Sequence, residues 1–205
     1  MKNLVVVCAD IGAVAKGNFG WWSSQDVSGN KLSTLAMHVS GLLNSGAPVA
    51  LGFECPLFVP LVADELLLTR ARPGEGSRAW SAGAGCGALA TGLVQVAWAL
   101  QQIRSELSKN VPAYLGWPAF SAAGSGLFIW EAFVSGTAKR ESHTADAKAG
   151  GEAFLSTLPD PPRSNAVNCN SGVYSLVGAA MLRTGWSVDP NILQEACVVI
   201  RGGVV

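Results

Sequence analysis

Four residues of this sequence have the types and spacing of a hard-metal site. Asp10 ends the apolar run Leu4-Val5-Val6-Val7-Cys8-Ala9 and is followed by Ile11-Gly12. Glu54 ends a second run, Val49-Ala50-Leu51-Gly52-Phe53, and is followed by Cys55-Pro56. Later, Ser142-His143-Thr144-Ala145-Asp146 places His143 and Asp146 three apart, on one face of a helix. Carboxylates brought together repel unless a cation lies between them, and oxygen-rich sites suit Mg²⁺ or Mn²⁺. Two such ions about 3.5–4 Å apart stabilise the attacking and leaving oxygens of an in-line phosphoryl displacement. That is the chemistry of phosphodiester hydrolysis, and it needs no nucleophilic side chain. Asp146 has a second reading by itself: Ser142 caps the helix, and the carboxylate complements the positive end of its dipole.

A fifth acid, Glu131, lies inside the apolar run Leu127-Phe128-Ile129-Trp130-Glu131-Ala132-Phe133-Val134. A carboxylate is costly to bury there without a partner. It reads either as a further metal or substrate ligand at the same sheet edge, or as an outward residue on an edge strand. The longest irregular stretch, 70–87, offers Arg72 and Arg78 as phosphate partners and Trp80 as a surface on which a base can stack. Its end, Gly83-Ala84-Gly85-Cys86-Gly87, leads into a helix whose backbone amides can cradle an anion. It is no dinucleotide fingerprint, because no strand precedes it and a glycine is missing at Ala88. The alternative reading is a surface loop with tight backbone packing. Lys139 and Arg140, just ahead of His143, are a second place to look for a substrate groove. His38 falls within a helical pattern and reads as an ordinary helix histidine.

These residues must be positioned by strands and helices. The two runs ending on Asp10 and Glu54 read as strands buried on both faces; if they are parallel neighbours, both carboxylates meet at one sheet edge, where open α/β sheets bind ligands. Phe19–Trp22 reads as a second strand, and a third is expected near Lys31-Leu32 after the turn residues 26–30. A helix follows over about 35–43. Residues 57–70 read as a short helix, and 88–107 as a long one. Strands are expected at Pro112–Leu115 and Leu127–Val134, and helices at Thr144–Leu158 and Ser171–Arg183. Glu195–Arg201 reads as a terminal strand. No repeat or low-complexity segment interrupts this α/β pattern, so residues 1–205 are expected to form one domain with a glycine-rich loop insertion at about 70–87.

Composition agrees with a packed α/β chain: 49% of the 205 residues are apolar and 14% charged. Lys plus Arg and Asp plus Glu balance at 14 each, which counts against broad, non-specific nucleic-acid binding. Cys8, Cys55, Cys86, Cys169 and Cys197 form no CxxC pair and read as reduced thiols of a cytoplasmic protein. The N-terminal apolar run is too short for a signal peptide, and no membrane partner is expected.

The order of these features resembles the ribonuclease-H-like superfamily, and within it the RuvC Holliday-junction resolvases. The resemblance rests on Asp10 ending the first strand, a three-strand unit, a helix, Glu54 ending the fourth strand, and a late helix with His-x-x-Asp-Ala. Gly52-Phe53-Glu54-Cys55-Pro56-Leu57 and Arg78-Ala79-Trp80-Ser81-Ala82-Gly83 also resemble a family of predicted nucleases with this fold, a domain of unknown function. The resemblance implies a mixed sheet, antiparallel over its first three strands and then parallel, flanked by helices. It implies a metal-dependent nuclease acting through Asp10, Glu54, His143 and Asp146 with Mg²⁺ or Mn²⁺. Nucleic acid is then the expected partner, with a homodimer left open. Neutral charge and the glycine-rich loop depart from the resolvases, so the metal site carries over and the four-way-junction substrate does not. Two other classes compete: a non-catalytic binding or assembly protein, and an actin-like ATP-using enzyme, which also begins Asp-x-Gly but needs a second copy of the domain.

Overall fold

The computed structural model describes residues 3–76, 79–134, 141–169 and 171–202. Its first half runs β1 (Val5–Asp10), β2 (Gly20–Ser23), β3 (Val27–Gly29), α1 (Leu32–Asn44), β4 (Val49–Glu54), β5 (Phe58–Leu61) and α2 (Gly83–Ser105). The second half runs β6 (Ala113–Tyr114), α3 (Trp117–Ala123), β7 (Leu127–Val134), α4 (His143–Ser156), β8 (Gly172–Ser175), α5 (Leu176–Arg183) and β9 (Val199–Gly202).

Seven strands form one mixed sheet in the order β3-β2-β1-β4-β7-β6, with β9 also paired to β7. β1, β2 and β3 pair antiparallel; β4, β7, β6 and β9 continue parallel. This is the layout expected from the sequence. β6 pairs with Leu127 and Phe128 and β9 with Glu131 to Val134, so the two follow each other along the outer edge of β7. β5 and β8 form a separate antiparallel pair.

Successive side chains of a strand point to opposite faces, and both faces here are covered. Val5, Val7, Ala9, Val49, Leu51, Phe53, Leu127 and Ile129 pack with residues of α1, α2 and α5. Val6, Cys8, Ala50, Phe128, Trp130 and Ala132 pack with Trp117 and Phe120 of α3 and Phe154 of α4. Burial on both sides explains why β1, β4 and β7 read as continuous apolar runs rather than as alternating ones.

Several element boundaries differ from the sequence reading. The third strand is Val27–Gly29, and Leu32 already belongs to α1. Residues 57–70 hold β5 and a short 3-10 turn at Glu65–Leu67, because Val59 and Pro60 extend to pair with Tyr174 and Val173. The helix expected from Ser171 begins at Leu176, its first residues being taken by that same pairing. α2 starts at Gly83 rather than Ala88, so the irregular stretch is shorter than expected. α3, opened by Trp117-Pro118, was not foreseen.

Candidate metal centre

Strand parity decides which acids can meet. On β1, Val6 and Cys8 face α4, and Asp10 continues that series; on β4, Ala50 faces the same way and Glu54 continues it. The parallel register sets Asp10 directly beside Glu54. Asp146 comes from α4, the helix lying over that face. One carboxylate oxygen from each of Asp10, Glu54 and Asp146 lies within 4.8 Å of the other two. An octahedral Mg²⁺ with ligands at about 2.1 Å holds opposite oxygens about 4.2 Å apart, so separations of up to 4.8 Å are of the order that one ion spans. Asp10 and Asp146 are buried and Glu54 is half-buried. His143 Nδ1 is 2.5 Å from Asp10 Oδ2, while 39% of the histidine side chain is exposed. The sequence-predicted residues Asp10, Glu54, His143 and Asp146 are therefore brought together.

Local chemistry brings α4 to the sheet. Ser142 accepts a hydrogen bond from the Ala145 N–H and caps the helix, whose positive end then lies among the carboxylates. Gly20 lies opposite Asp10 on β2, and a Cβ there would sit 2.3 Å from the Thr144 nitrogen. Only glycine lets the first turn of α4 approach this closely. One turn beyond Asp146, a Cβ on Gly151 would sit 2.6 Å from the Trp22 ring. These contacts were not read from the sequence, although two adjacent glycines inside a helical pattern were a visible signal.

Glu131 and Arg72 take a different role from either one expected. Glu131 shares the parity of Leu127 and Ile129 and so faces away from Asp10 and Glu54. It is not an outward edge residue, because β7 lies inside the sheet and the side chain is buried; it stands outside the Asp10–Glu54–Asp146 group, although it lines the same cleft. Its partner is Arg72, which donates to Glu131 from Nη1 at 2.9 Å and from Nη2 at 2.5 Å. The same guanidinium donates to Glu75 Oε1 and the Phe58 carbonyl and lies over the Phe58 ring. Burial alone would lower the Arg72 pKa, but Glu131 and Glu75 outweigh it and hold the value above the ordinary one. Four donor contacts and 1% exposure leave Arg72 no role as a surface phosphate partner. Arg72 instead anchors the loop to the core.

Trp80 is half-buried, donates its indole N–H to the Arg70 carbonyl, and does not line the cleft beside the acids. Arg78, Lys139 and Arg140 lie outside the described residues. That cleft has a volume of about 350 Å³. Its walls include Asp10, Glu54 and His143 on one side, Ala84, Gly85, Gly87 and Ala88 of α2 on another, and Phe133 and Val134 of β7. Among the described residues no lysine or arginine lines it. All five cysteines are free thiols. Burial, reinforced by Glu131, pushes the thiols of Cys55 and Cys197 well up.

Compared with family models, with curated proteins and with solved structures, the chain shows no match in any of the three.

Proposed function

We propose that this chain is a divalent-metal-dependent nuclease hydrolysing phosphodiester bonds of DNA or RNA. The observation that carries the reading is the convergence of Asp10, Glu54 and Asp146, from β1, β4 and α4, at the carboxyl edge of parallel strands. Their hard oxygen donors, set close enough to repel, suit Mg²⁺ or Mn²⁺. Ions held there would supply activation of a water molecule and charge neutralisation at the attacking and leaving oxygens. His143 holds Asp10 through Nδ1 and keeps its partly exposed ring at the rim of the cleft. Phe133, Val134 and the small residues of α2 form the less polar walls of the cleft. With no described cation on those walls, the charge of a bound phosphate falls to the metal. The layout and these four residues also support a place in the ribonuclease-H-like superfamily, near the RuvC branch.

A second reading, a non-catalytic binding protein with this fold, is favoured by that same lack of cationic walls. The test is purified protein with Mn²⁺, Mg²⁺, Ca²⁺ or a chelator against single-stranded, duplex and branched DNA and RNA. Cleavage is expected with Mn²⁺ or Mg²⁺ and not with the chelator. Asp146→Asn is expected to fold and to lose cleavage by at least about a hundredfold, whereas a role confined to the helix dipole would change only stability, by about 0.3–1 kcal/mol. Full cleavage by the folded variant would sink the assignment, and metal binding without cleavage of any substrate would leave the binding protein.

A further inference from the structure

On α2 the residues Ala84, Ala88, Thr91 and Gln95 follow one another at spacings of four and three, so they share one face. The first three line the cleft beside the acids. Thr91 turns its hydroxyl back on its own helix, donating to the Gly87 carbonyl at 2.9 Å. Gln95, one turn further on, reaches out of the helix instead. Its Nε2 donates to the Gly12 carbonyl at 2.6 Å, a bond between residues 83 apart in the sequence.

Gly12 stands two residues beyond Asp10 and lines the same cleft. Asp10 is the last residue of β1, paired with Glu54 on one side and Gly20 on the other; past it the chain leaves the sheet and rejoins it only at Gly20. Along that excursion Gly12 is gripped from two sides. A Cβ on it would sit 1.8 Å from the Asn18 carbonyl oxygen, and the Gln95 amide closes from the α2 side. Stability alone does not call for a glutamine there. Gln95 Oε1 is buried with no hydrogen-bond partner among the described residues, and a methionine of similar length would avoid the cost of that unpaired acceptor.

We propose, on the metal-dependent reading above, that Gln95 is a positioning residue of the metal centre. Its bond to Gly12 fixes the chain just past the end of β1, and with it the direction of the Asp10 carboxylate and the gap between the α2 wall and the acids. Gln95 itself does not line the cleft, so it acts through Gly12. His143 restrains the Asp10 side chain; Gln95 restrains the backbone that carries it. Such support matters because metal ligands must be held within about 0.5 Å of their productive geometry. The role needs a donor, since a carbonyl only accepts, and a thioether of similar length supplies none.

The test is calorimetric titration of Mn²⁺ into the wild type, Gln95→Met and Gln101→Met, each also unfolded by urea in the presence of chelator. Gln101 is exposed on the same helix and serves as the control. Gln95→Met is expected to bind Mn²⁺ about tenfold more weakly, the lower end of the loss that follows removal of a ligand's supporting partner. Its urea midpoint without metal is expected to equal or exceed that of the wild type, and Gln101→Met is expected to match the wild type in both measurements. A merely structural role gives the reverse, a lower midpoint with unaltered affinity in the folded variant, and that result would overturn the proposal. A second measurement needs no variant. The Gln95 side-chain amide signal of the wild type, in a proton–nitrogen NMR spectrum, is expected to shift as Mg²⁺ binds; a signal that stays in place while the metal binds would also overturn it. Binding of Mn²⁺ without cleavage of any nucleic acid would end the nuclease reading and leave the role of Gln95 standing, whereas a wild type that binds no Mn²⁺ would end both.

Discussion

Arg72, Glu75 and Glu131 form a buried group of one cation and two acids, and its energetics are lopsided. Removing Arg72 strands two acids in the core, whereas removing Arg72 and Glu131 together leaves only Glu75, which keeps the Arg72 and Trp80 backbone N–H donors. Arg72→Met is therefore expected to destabilise the chain by about 3–5 kcal/mol, read by urea unfolding. The double variant Arg72→Met/Glu131→Met is expected to recover part of that loss. If Arg72 were a surface phosphate ligand, its removal would leave stability almost untouched. The thiols offer a second residue-scale check. Cys55 and Cys197 are buried and held neutral by desolvation and the neighbouring Glu131, whereas Cys86 is exposed. Native-state alkylation at pH 8, read by peptide mapping, is expected to label Cys86 first and to spare Cys55 and Cys197 until the chain unfolds. Early labelling of either buried thiol would show that the core beside Glu131 opens.

At the scale of elements, α4 must lie close against β1 and β2 for Asp146 to reach the strand ends, and Gly20 sets that distance. Gly20→Ala puts a methyl carbon against the backbone of Thr144 and is expected to weaken Mn²⁺ binding by about tenfold or more, in keeping with the steep dependence of active sites on sub-ångström placement. Calorimetric titration measures it. Gly41→Ala, where the added carbon meets open space in α1, is the control and is expected to stabilise by about 0.5–1 kcal/mol without touching the metal. The strands carrying Asp10 and Glu54 were legible because burial on both faces writes a continuous apolar run, and a carboxylate ending such a run stands out. β8 was not legible: Gly172–Ser175 is too short for a periodicity and abuts a helix. Glu131 shows a different limit. Alternation separates it from Phe128 and Trp130, but which face α4 covers depends on packing between segments distant in sequence. The link to Arg72, across a glycine-rich loop, left no local mark at all.

For the molecule as a whole, a metal that binds only the folded chain must stabilise it. Mn²⁺ at a hundred times its dissociation constant is expected to add about 2.7 kcal/mol. A thermal melt with and without chelator reads the shift, and Asp10→Asn should remove it; an equal shift in both chains would place the ion elsewhere. The position of β9 has a consequence for how the protein is made. β9 completes the outer edge of β7 beside the cleft, where the Glu131 N–H donates to the Val198 carbonyl. About 65 residues of chain separate Val134 from Val199, so at 5–20 residues per second a ribosome needs roughly 3–13 s to supply the missing strand. Once Asp146 has been made, early in that interval, the nascent chain carries every acid of the site, yet β7 presents an open edge at Glu131–Val134, the kind of edge that templates misassembly. Synthesis and maturation of the cleft are thus separate events, and the window between them is where a chaperone has something to hold.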